Sequence, residues 1–587
     1  MTTGMKTLQV LALALLFGLA PCSPAAGVPL RTKISHLNKG GESEMNKSYR
    51  NRVLGSYLTN EAFRKITTPG NYSSFVNPLG IFFEEGDQAT LTISGVKGEQ
   101  RFKLIVHDFE QGGTHDEYPL REGKNTITIK HRGLSYFDYR CENLNSAPPV
   151  NVRIEGGKIN GIFTRADSVA TWKRLLALAK KNKCNILDIM GERCQLTYDV
   201  EGLSKGCPEG GPEMLKLYDY LMKLQQNDIL GWDLDGTHPG NPIHGRAMWG
   251  GYMHADGLGA AFHYRTIPGI SNPENLRRGA WGVAHEFGHV NQTKRGMCWT
   301  GMTEVTNNIC SSWANYKLFP QEMRLEHEVT PNAEGERMRG GRFDCYINNA
   351  LVRKRLWLYH GGPDSGGSNP DELGKRAGDV FVTLCPFWQL QLYMAVARNH
   401  PSFYPNIFHD VRMKDDSGMS NGEAQMLFMK RACDSAKLDL TDFFLQLGML
   451  SPMDRVMNDY AVQYITITRE MCDDVIRHAK RYPKPDSRVI YYVTANTVDI
   501  FRNKANVKPE RKQAKPEDIV NGHLEIPADQ WQNAVAFEAY KGKELLHISL
   551  RGLNHNDPQA TTVVCPPGTD LVKAVQWDGK RYTVLKP

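Results

Sequence analysis

The chain has 587 residues, of which 41% are apolar and 23% charged, and its formal net charge is +7. This balance supports several hydrophobic cores, in about three or four domains at this length, and excludes a chain that is disordered by composition. No stretch dense in Lys and Arg with interleaved aromatic residues occurs, so a nucleic-acid partner is not expected.

The first 26 residues predict an export signal. A positive charge at Lys6 precedes a mostly apolar run over 8–20, which is too short to cross a bilayer as a mature helix. The sequence before Cys22 is similar to a bacterial lipobox, which would make Cys22 a lipid anchor; ordinary signal-peptidase cleavage near Gly27 is the alternative. We expect a bacterial protein that is extracellular, periplasmic or attached to the cell surface. Membrane contact is expected only through such an anchor, because no later segment reaches transmembrane length.

Export would place the cysteines in an oxidising compartment. The chain has 12 cysteines, of which 11 follow Cys22. In an oxidising compartment some of them could pair, and a bridge between Cys298 and Cys310 would stiffen the segment between them. An odd number leaves at least one thiol free. No C-x-x-C pair occurs, so a zinc site made of four thiolates is not expected.

Two patterns define the N-terminal part. Residues 46–65 contain few helix breakers and predict a helix. From Ser74 to about Ile162, short alternating segments separated by turn residues predict a β-sandwich. The predicted strands are 80–83, 89–93, 102–106, 125–129 and 150–154. We therefore expect an N-terminal β-sandwich domain over residues 46–165.

Helical periodicity begins near Ser168 and dominates to about Ala479, with helices predicted at 170–180, 212–226 and 385–400. Strand patterns return after Ser487, at 489–493, 534–540 and 545–550. The expected architecture is α+β and multidomain. A mainly helical domain over 166–480 follows the β-sandwich, and a small β domain over 481–587 ends the chain.

Residues 285–289 have the form H-E-x-x-H. On a helix, His285 and His289 lie one turn apart on the same face, where both imidazoles reach one zinc ion. The flanking residues are largely apolar, and a buried helix that carries two histidines and a glutamate needs a functional reason. Glu286 would take a proton from the water that the zinc activates.

A third protein ligand would leave the fourth zinc position for water. The candidate is Glu304, which lies 15 residues after His289 in a G-x-x-E sequence that begins at Gly301. The pattern therefore predicts one zinc per chain, bound by His285, His289 and Glu304, with Glu286 as general base and acid.

Residues 279–292 resemble the zinc-site helix of the enhancin-like, mucin-targeting metallopeptidases (peptidase family M-sixty), in which H-E-x-x-H is followed by a spacer and G-x-x-E. The stretches 305–308, 386–393 and 440–449 are also similar to the family, and the resemblance extends over about residues 50–480. It implies a zincin-type catalytic domain of the gluzincin kind beside an N-terminal β domain. It also implies hydrolysis of peptide bonds in O-glycosylated, mucin-type protein.

Further site residues are expected around the zinc, although ordinary structural roles remain open for each. Tyr252 and His254 are candidates for the donor that stabilises the oxyanion, and Trp299 for a platform on which a sugar stacks. Asn307 and Asn308 lie one turn after the third ligand and are expected to orient the zinc ligands.

The sequence departs from the family at the expected substrate rim. Family members usually carry a sequence closer to Gly-Tyr-Pro after a Met-His pair, whereas this chain has Ala255-Asp256-Gly257-Leu258. The rim that contacts substrate is therefore expected to differ.

Because only the resemblance implies a glycan, two other functions stay open. One is a glycan-binding surface protein whose peptidase fold is accessory; the intact Glu286 argues against it, since degenerate peptidases commonly lose the base or a ligand. The other is a zinc aminopeptidase without glycan dependence, which the absence of a G-x-M-E-N sequence disfavours. We expect the protein to be a monomer.

Overall fold

The computed structural model describes residues 37–586, apart from 69–71, 73, 111–112, 235, 237–239, 294–295, 329, 332–336, 339–340, 360–378 and 512. The signal predicted over 1–26, with its possible anchor at Cys22, lies outside the described residues.

The N-terminal part is a sandwich of two β-sheets, in the orders β1-β9-β4-β7 and β10-β3-β8-β5-β6, with β2 beside β8. Alternate residues point inward; Val150, Val152 and Ile154 of β9 are buried while their neighbours are exposed. The strands are β1 (Asn51–Leu54), β2 (Tyr57–Leu58), β3 (Pro78–Phe83), β4 (Gln88–Ser94), β5 (Phe102–His107), β6 (His115–Leu120), β7 (Gly123–Thr128), β8 (Gly133–Cys141), β9 (Val150–Glu155) and β10 (Lys158–Ile159).

The helix predicted over 46–65 is wrong as a single element. Helix α1 (Glu42–Arg50) ends where β1 begins, and α2 (Asn60–Thr67) follows β2. Residues Asn51–Leu54 pair antiparallel with β9, so tertiary pairing outweighs the helix propensity of this segment.

A six-stranded mixed sheet, in the order β11-β12-β13-β14-β16-β15, forms the centre of the molecule. Its strands are β11 (Ile162–Thr164), β12 (Ile186–Met190), β13 (Cys194–Asp199), β14 (Ile243–Met248), β15 (Met253–Asp256) and β16 (Gly259–His263). The sequence patterns did not single out these strands, because β12 and β13 are buried at every position and show no alternation. The antiparallel strand β15 ends the sheet at one edge.

Helices surround this sheet and enclose the largest hydrophobic cluster. They are α3 (Val169–Lys181), α4 (Val200–Gly206), α5 (Gly211–Lys223), α6 (Ile267–Ser271), α7 (Pro273–Arg278), α8 (Ala280–Val290), α9 (Asn308–Leu318), α10 (Arg324–His327), α11 (Gly341–Ile347), α12 (Val380–Gln391), α13 (Phe403–Met413), α14 (Asn421–Ala436), α15 (Thr441–Gln446), α16 (Arg469–Ala479) and α17 (Val498–Asn503). Two short antiparallel pairs interrupt them, β17 (Thr330–Pro331) with β18 (Arg337–Met338) and β19 (Met453–Asn458) with β20 (Val462–Ile467).

The C-terminal part contains two small sheets, β21-β24 and β23-β22-β25-β26. The strands are β21 (His523–Ile526), β22 (Ala536–Lys541), β23 (Glu544–Leu550), β24 (Thr561–Val564), β25 (Leu571–Val575) and β26 (Arg581–Leu585). Buried residues of these strands, including Ile548, join the largest cluster, so the C-terminal strands pack on the helical region.

The strand predicted at 489–493 is wrong. Residues Ile490–Tyr492 form a 3₁₀ turn inside the largest cluster. The Gln389 side chain donates to the carbonyls of Tyr491 (2.6 Å) and Val493 (3.3 Å). The backbone oxygens that a sheet partner would bind are thus occupied by α12.

Two expectations from composition need correction. Among the described residues one helical segment, Val380–Ala397, is long and apolar enough to cross a membrane, but 72% of it is buried inside the fold, as in a core helix. The structure forms no disulfide among the eleven described cysteines, so the bridge considered between Cys298 and Cys310 is not formed.

Buried polar groups fasten the C-terminal part to the helices. Asn348 exchanges two hydrogen bonds with the backbone of Ile548 (2.8 and 2.9 Å), as a neighbouring strand would. Glu326, which is 1% exposed, accepts a hydrogen bond from the Ala495 N–H at 2.6 Å. Burial raises the pKa of Glu326 to about 7, so this carboxyl group is protonated in the folded protein at mildly acidic pH.

We predict that Glu326→Gln stabilises the protein at pH 8 but not at pH 5. The folded-state pKa of Glu326 lies above that of an unfolded glutamate, about 4.3, so the stability this residue contributes is lost as pH rises through 7. The uncharged amide keeps an acceptor, and the difference between the two pH values should be roughly 2–3 kcal/mol. Thermal unfolding at both pH values measures it. The exposed Glu322→Gln is the matched control; equal shifts for both variants would contradict the prediction.

Candidate metal and peptidase site

Helix α8 carries the H-E-x-x-H motif as expected. Val283, Ala284 and Phe287 are fully buried and fix one side of the helix to the core. His285 and His289, one turn apart, turn toward a cleft, and their Nε2 atoms lie 3.1 Å from each other.

Glu304 reaches the histidines from a turn between α8 and α9, not from a helix. Its Oε2 lies 3.1 Å from Nε2 of His285 and 3.2 Å from Nε2 of His289. Gly301 begins the turn with a φ of +87°, which favours glycine. Asp459 fixes the turn by accepting from the N–H groups of Gly301 (2.8 Å) and Thr303 (3.2 Å) and from the Thr303 hydroxyl (2.8 Å).

The three donor atoms fit a tetrahedral cation. They form a nearly equilateral triangle with sides of 3.1–3.2 Å, and zinc with bonds of about 2.0–2.1 Å holds its ligands about 3.3 Å apart. Burial favours the neutral acid of Glu304, but the hydrogen bonds from His285 and His289 outweigh it and lower the pKa of this carboxyl. Among the described residues, no other cluster of His, Cys, Asp and Glu side chains meets the geometry of a metal site.

Amide side chains hold the outer nitrogens of both histidines. Asn308 Oδ1 lies 2.9 Å from Nδ1 of His285, and its Nδ2 donates to the Glu304 carbonyl at 2.8 Å. Gln292 Oε1 lies 3.4 Å from Nδ1 of His289. An N–H at Nδ1 leaves the lone pair at Nε2 for a metal.

The second expected amide, Asn307, is also buried at the site. Its Nδ2 lies 3.1 Å from Nε2 of His289. A Cβ on Gly288 would lie 2.6 Å from the Asn307 carbonyl oxygen. Glycine at this position of the motif therefore lets α8 approach the turn before α9.

Glu286 projects into the same cleft and is 6% exposed. Burial raises the pKa of its carboxyl group, while the neighbouring imidazoles oppose this effect. A carboxyl group whose protonated form is stabilised in this way suits a residue that both accepts and returns a proton.

The cleft has a volume of about 1170 Å³ and two walls. One wall is the edge strand β15 with Gly257 after it, and Arg64 and Thr68 of the N-terminal part also line the cleft. The opposite wall consists of residues 419–424, where α14 begins, and the tip of the β19–β20 hairpin.

The three remaining candidates lie in different places. His254 is on β15 and lines the cleft, with Nε2 3.4 Å from Asp256 Oδ2. Tyr252 is 70% exposed and is not part of the cleft lining. Trp299 borders the cleft, but its ring is 3% exposed and packs on core aromatic rings such as Phe428. Its burial argues against a sugar-stacking platform.

Tyr460 is the site residue that the sequence patterns missed. Its hydroxyl donates to Glu304 Oε1 at 2.5 Å, and its side chain is 80% exposed in the cleft. It sits in the turn between β19 and β20 with a φ of +60°, a strained conformation for a bulky residue. No local pattern could connect this residue with the site, because 156 residues separate it from Glu304.

A family model described as "Peptidase M60, enhancin and enhancin-like" matches residues 166–448, the region that contains α8, Glu304 and every strand of the central sheet except β11. This region, slightly less than half of the chain, is similar to the enhancin-like M60 peptidases. The chain is accordingly a metallopeptidase, and the family implies a metal, typically zinc. The resemblance seen in the sequence is confirmed.

Solved structures share the fold at low identity. A metallopeptidase in complex with Tn antigen is 22% identical, with 92% of this chain and 100% of that chain covered and a TM-score of 0.70. A metallopeptidase from Bacteroides thetaiotaomicron is also 22% identical, with 92% and 90% covered and a TM-score of 0.70. The M60 catalytic domain of Clostridium perfringens ZmpC, in complex with the sialyl T antigen, is 17% identical, with 92% and 100% covered and a TM-score of 0.62. No curated protein matches the chain.

We predict that Asn308→Ala weakens zinc binding by about 10- to 100-fold, because His285 loses the acceptor that fixes its ring and tautomer. Competition with a chelator of known affinity measures the change. His289→Ala, which removes a proposed ligand, should lose most of the zinc. This variant sets the lower limit of zinc affinity for the comparison. Unchanged affinity in Asn308→Ala would show that the amide does not orient the ligand.

Proposed function

We propose that this metallopeptidase is an exported zinc endopeptidase that cleaves O-glycosylated, Ser/Thr-rich protein. The observation that carries the peptidase part is the triangle of His285, His289 and Glu304 donors beside Glu286 in an open cleft. Export rests on the pattern of the first 26 residues, and one zinc per chain on the single donor triangle in the described residues.

The metal ligands and Glu286 have separate roles in the proposed reaction. Zinc held by the three ligands would leave one position for water and lower the pKa of that water toward about 7. Glu286 takes the proton from the attacking water and returns it to the leaving amine, so one carboxyl group serves both steps.

Two groups near the metal site can stabilise the oxyanion that forms at the scissile carbonyl. Tyr460 lies on the Glu304 side and His254 on the β15 side of the cleft. We favour Tyr460, because its hydroxyl donates to Oε1 of the proposed ligand Glu304, beside the donor triangle, and the strained turn holds it there. His254 is 46% exposed in its side chain and stays the second candidate.

The edge strand β15 suits an extended substrate. It pairs only with β16 in the described sheet and lines the cleft along its length. An unpaired edge can hydrogen-bond to the backbone of an extended peptide, which would place its scissile bond over the metal site. An extended peptide held along β15 would pass through the cleft, which favours internal cleavage of a long chain over removal of single terminal residues.

The glycan part of the proposal rests on the family and on its neighbours. The solved metallopeptidases with this fold include structures in complex with Tn antigen and with the sialyl T antigen. The cleft of this chain is lined by neutral polar side chains such as Ser420, Asn421 and Gln463, which can bind sugar hydroxyls as donors and acceptors. Glu286 and the complete donor triangle disfavour a purely glycan-binding role.

We predict that the enzyme cleaves a Thr-containing peptide only when the threonine carries GalNAc. Matched peptides with and without the sugar, read by mass spectrometry, test this dependence. Glu286→Gln is the matched control for catalysis: it should keep fold and zinc and lose at least about 100-fold in turnover. Equal cleavage of both peptides would remove the glycan dependence, whereas near-normal turnover by Glu286→Gln would remove this residue as the base.

We predict that Tyr460→Phe lowers kcat by about 100-fold with little change in KM, because an oxyanion donor acts only in the transition state. Zinc content should be unchanged, since the ligands remain. Tyr220→Phe removes another partly exposed hydroxyl and serves as control. Loss of zinc in Tyr460→Phe, or a rise in KM alone, would assign the residue a different role.

A further inference from the structure

A single buried glutamine, Gln225, binds α8 on both sides of the H-E-x-x-H motif. Its Nε2 donates to the carbonyl of Ala284, the residue before His285, at 2.9 Å. Its Oε1 accepts from Nδ2 of Asn291, which follows the last histidine of the motif, at 2.6 Å. Gln225 is fully buried and Asn291 is 1% exposed, so water does not compete for either bond. One amide group therefore holds both ends of the segment that carries the motif.

The direction of helix side chains explains how one amide reaches both positions. The Cα–Cβ bonds of an α-helix point toward its N-terminus, so the Asn291 side chain extends back over the last turn of α8. Ala284 and Asn291 are about two turns apart and lie on one face of α8. His285 and His289 lie about a third of a turn around the helix from that face. A rotation of α8 about its axis would therefore break the Gln225 bonds and displace both imidazoles.

Apolar packing alone does not fix the rotation of α8 closely enough for a metal site. The burial of Val283 and Phe287 is non-directional, and a small rotation changes the buried area little. Hydrogen bonds, in contrast, weaken steeply as their angles change. A metal site needs its ligands held within about 0.5 Å of the required geometry. The two bonds of Gln225 supply the direction that apolar packing lacks.

The backbone that presents Gln225 is itself fixed. Residues Leu224–Ile229 form a π turn after α5, in which the Leu230 N–H donates to the Gln225 carbonyl at 2.9 Å. Such turns are often found at functional sites. The next residue, Gln226, is also fully buried, and its Oε1 accepts from Arg193 at 3.2 Å. The π turn thus brings two neighbouring amides into the core on a rigid support.

Tyr72 of the N-terminal part completes this hydrogen-bond network. Its hydroxyl donates to Oδ1 of Asn291 and accepts from Nε2 of Gln226 at 3.0 Å. Its ring stacks on Phe63 of α2, with ring centroids 4.4 Å apart. Because both its oxygen and its nitrogen are bonded, the Asn291 amide has one orientation. The N-terminal part therefore contributes to the position of α8.

We propose that Gln225 is a positioning residue for the metal site, which fixes the rotation of α8 and thereby the places of the two imidazoles. Neither Gln225 nor Tyr72 lines the catalytic cleft, so neither touches substrate. This inference rests on the proposed zinc site but concerns residues outside it. Loss of the Gln225 bonds should distort the ligand geometry without removing a ligand.

The test replaces Gln225 by methionine, which fills a similar volume and makes neither hydrogen bond. The zinc affinity of Gln225→Met, measured by competition with a chelator of known affinity, should fall about 10-fold. This is the lower end of the loss expected when groups that orient metal ligands are removed. The visible absorption of the cobalt(II)-substituted protein should also change, because it reports the geometry of the ligands around the metal.

Gln389→Met is the matched control. Gln389 is equally buried and also makes two hydrogen bonds, but to the carbonyls of Tyr491 and Val493 in the C-terminal part. Both variants should lower the melting temperature of the metal-free protein. Only Gln225→Met should also change the zinc affinity and the cobalt spectrum, which a merely structural role would leave unaltered.

Tyr72→Phe is a milder second variant, which keeps the ring and loses the hydroxyl that binds Asn291. It should lower the zinc affinity about 3-fold. An unchanged affinity and cobalt spectrum in Gln225→Met, or an equal loss of affinity in Gln389→Met, would overturn the inference. If circular dichroism shows that Gln225→Met does not fold, Tyr72→Phe decides, and its unchanged affinity and spectrum would overturn the inference. A wild-type protein that binds no zinc would instead contradict the proposed function.

Discussion

The structure of the site depends on the approach of the Glu304 turn to the face of α8. A carboxylate must come within 3.1–3.2 Å of two imidazole nitrogens that themselves face each other. In the absence of a cation these donors would gain little from such crowding, so the surrounding chain has to impose it. Gly288 does so by removing the side chain that would block the Asn307 carbonyl, and Gly301 by allowing the positive φ that begins the turn.

The β19–β20 hairpin is the second support of this arrangement, although it lies far away in the sequence. Asp459 accepts three hydrogen bonds from the turn that presents Glu304, so the position of the third proposed ligand depends on the hairpin. The adjacent Tyr460 then places its hydroxyl on the same carboxylate. Its positive φ costs of order 1–3 kcal/mol, which the bonds made by Asp459 and the buried Ile465 can offset. Structural support and chemistry thus come from neighbouring residues of one turn.

Local patterns predicted the parts of this site that depend on spacing along one helix. The 3.6-residue period of α8 is sufficient to place His285 and His289 on one face, and the flanking apolar residues are sufficient to predict burial. Fully buried strands such as β12 lack alternation, so the central sheet was not visible. The segment 489–493 has a strand-like composition, but Gln389 takes its carbonyls. Trp299 and Tyr460 show the same limit. Trp299 packs on core aromatic rings, and Tyr460 donates a hydrogen bond to Glu304, which is far away in the sequence. No local pattern contains either contact.

The two walls of the cleft differ in how much freedom they leave for substrate recognition. On the β15 wall, the departure at Ala255-Asp256-Gly257 introduces a carboxylate, but Arg246 binds it through both oxygens (2.6 and 3.1 Å), and the Leu258 N–H donates to it as well. Asp256 is therefore used to shape the rim and is poorly placed to bind a charged substrate. The opposite wall keeps its amides and aromatic rings exposed to the cleft and beyond it. Since the metal triangle and Glu286 serve any peptide bond, substrate choice in this chain depends on the other residues of the cleft, among which Ser420, Asn421 and Tyr460 of this wall carry polar groups.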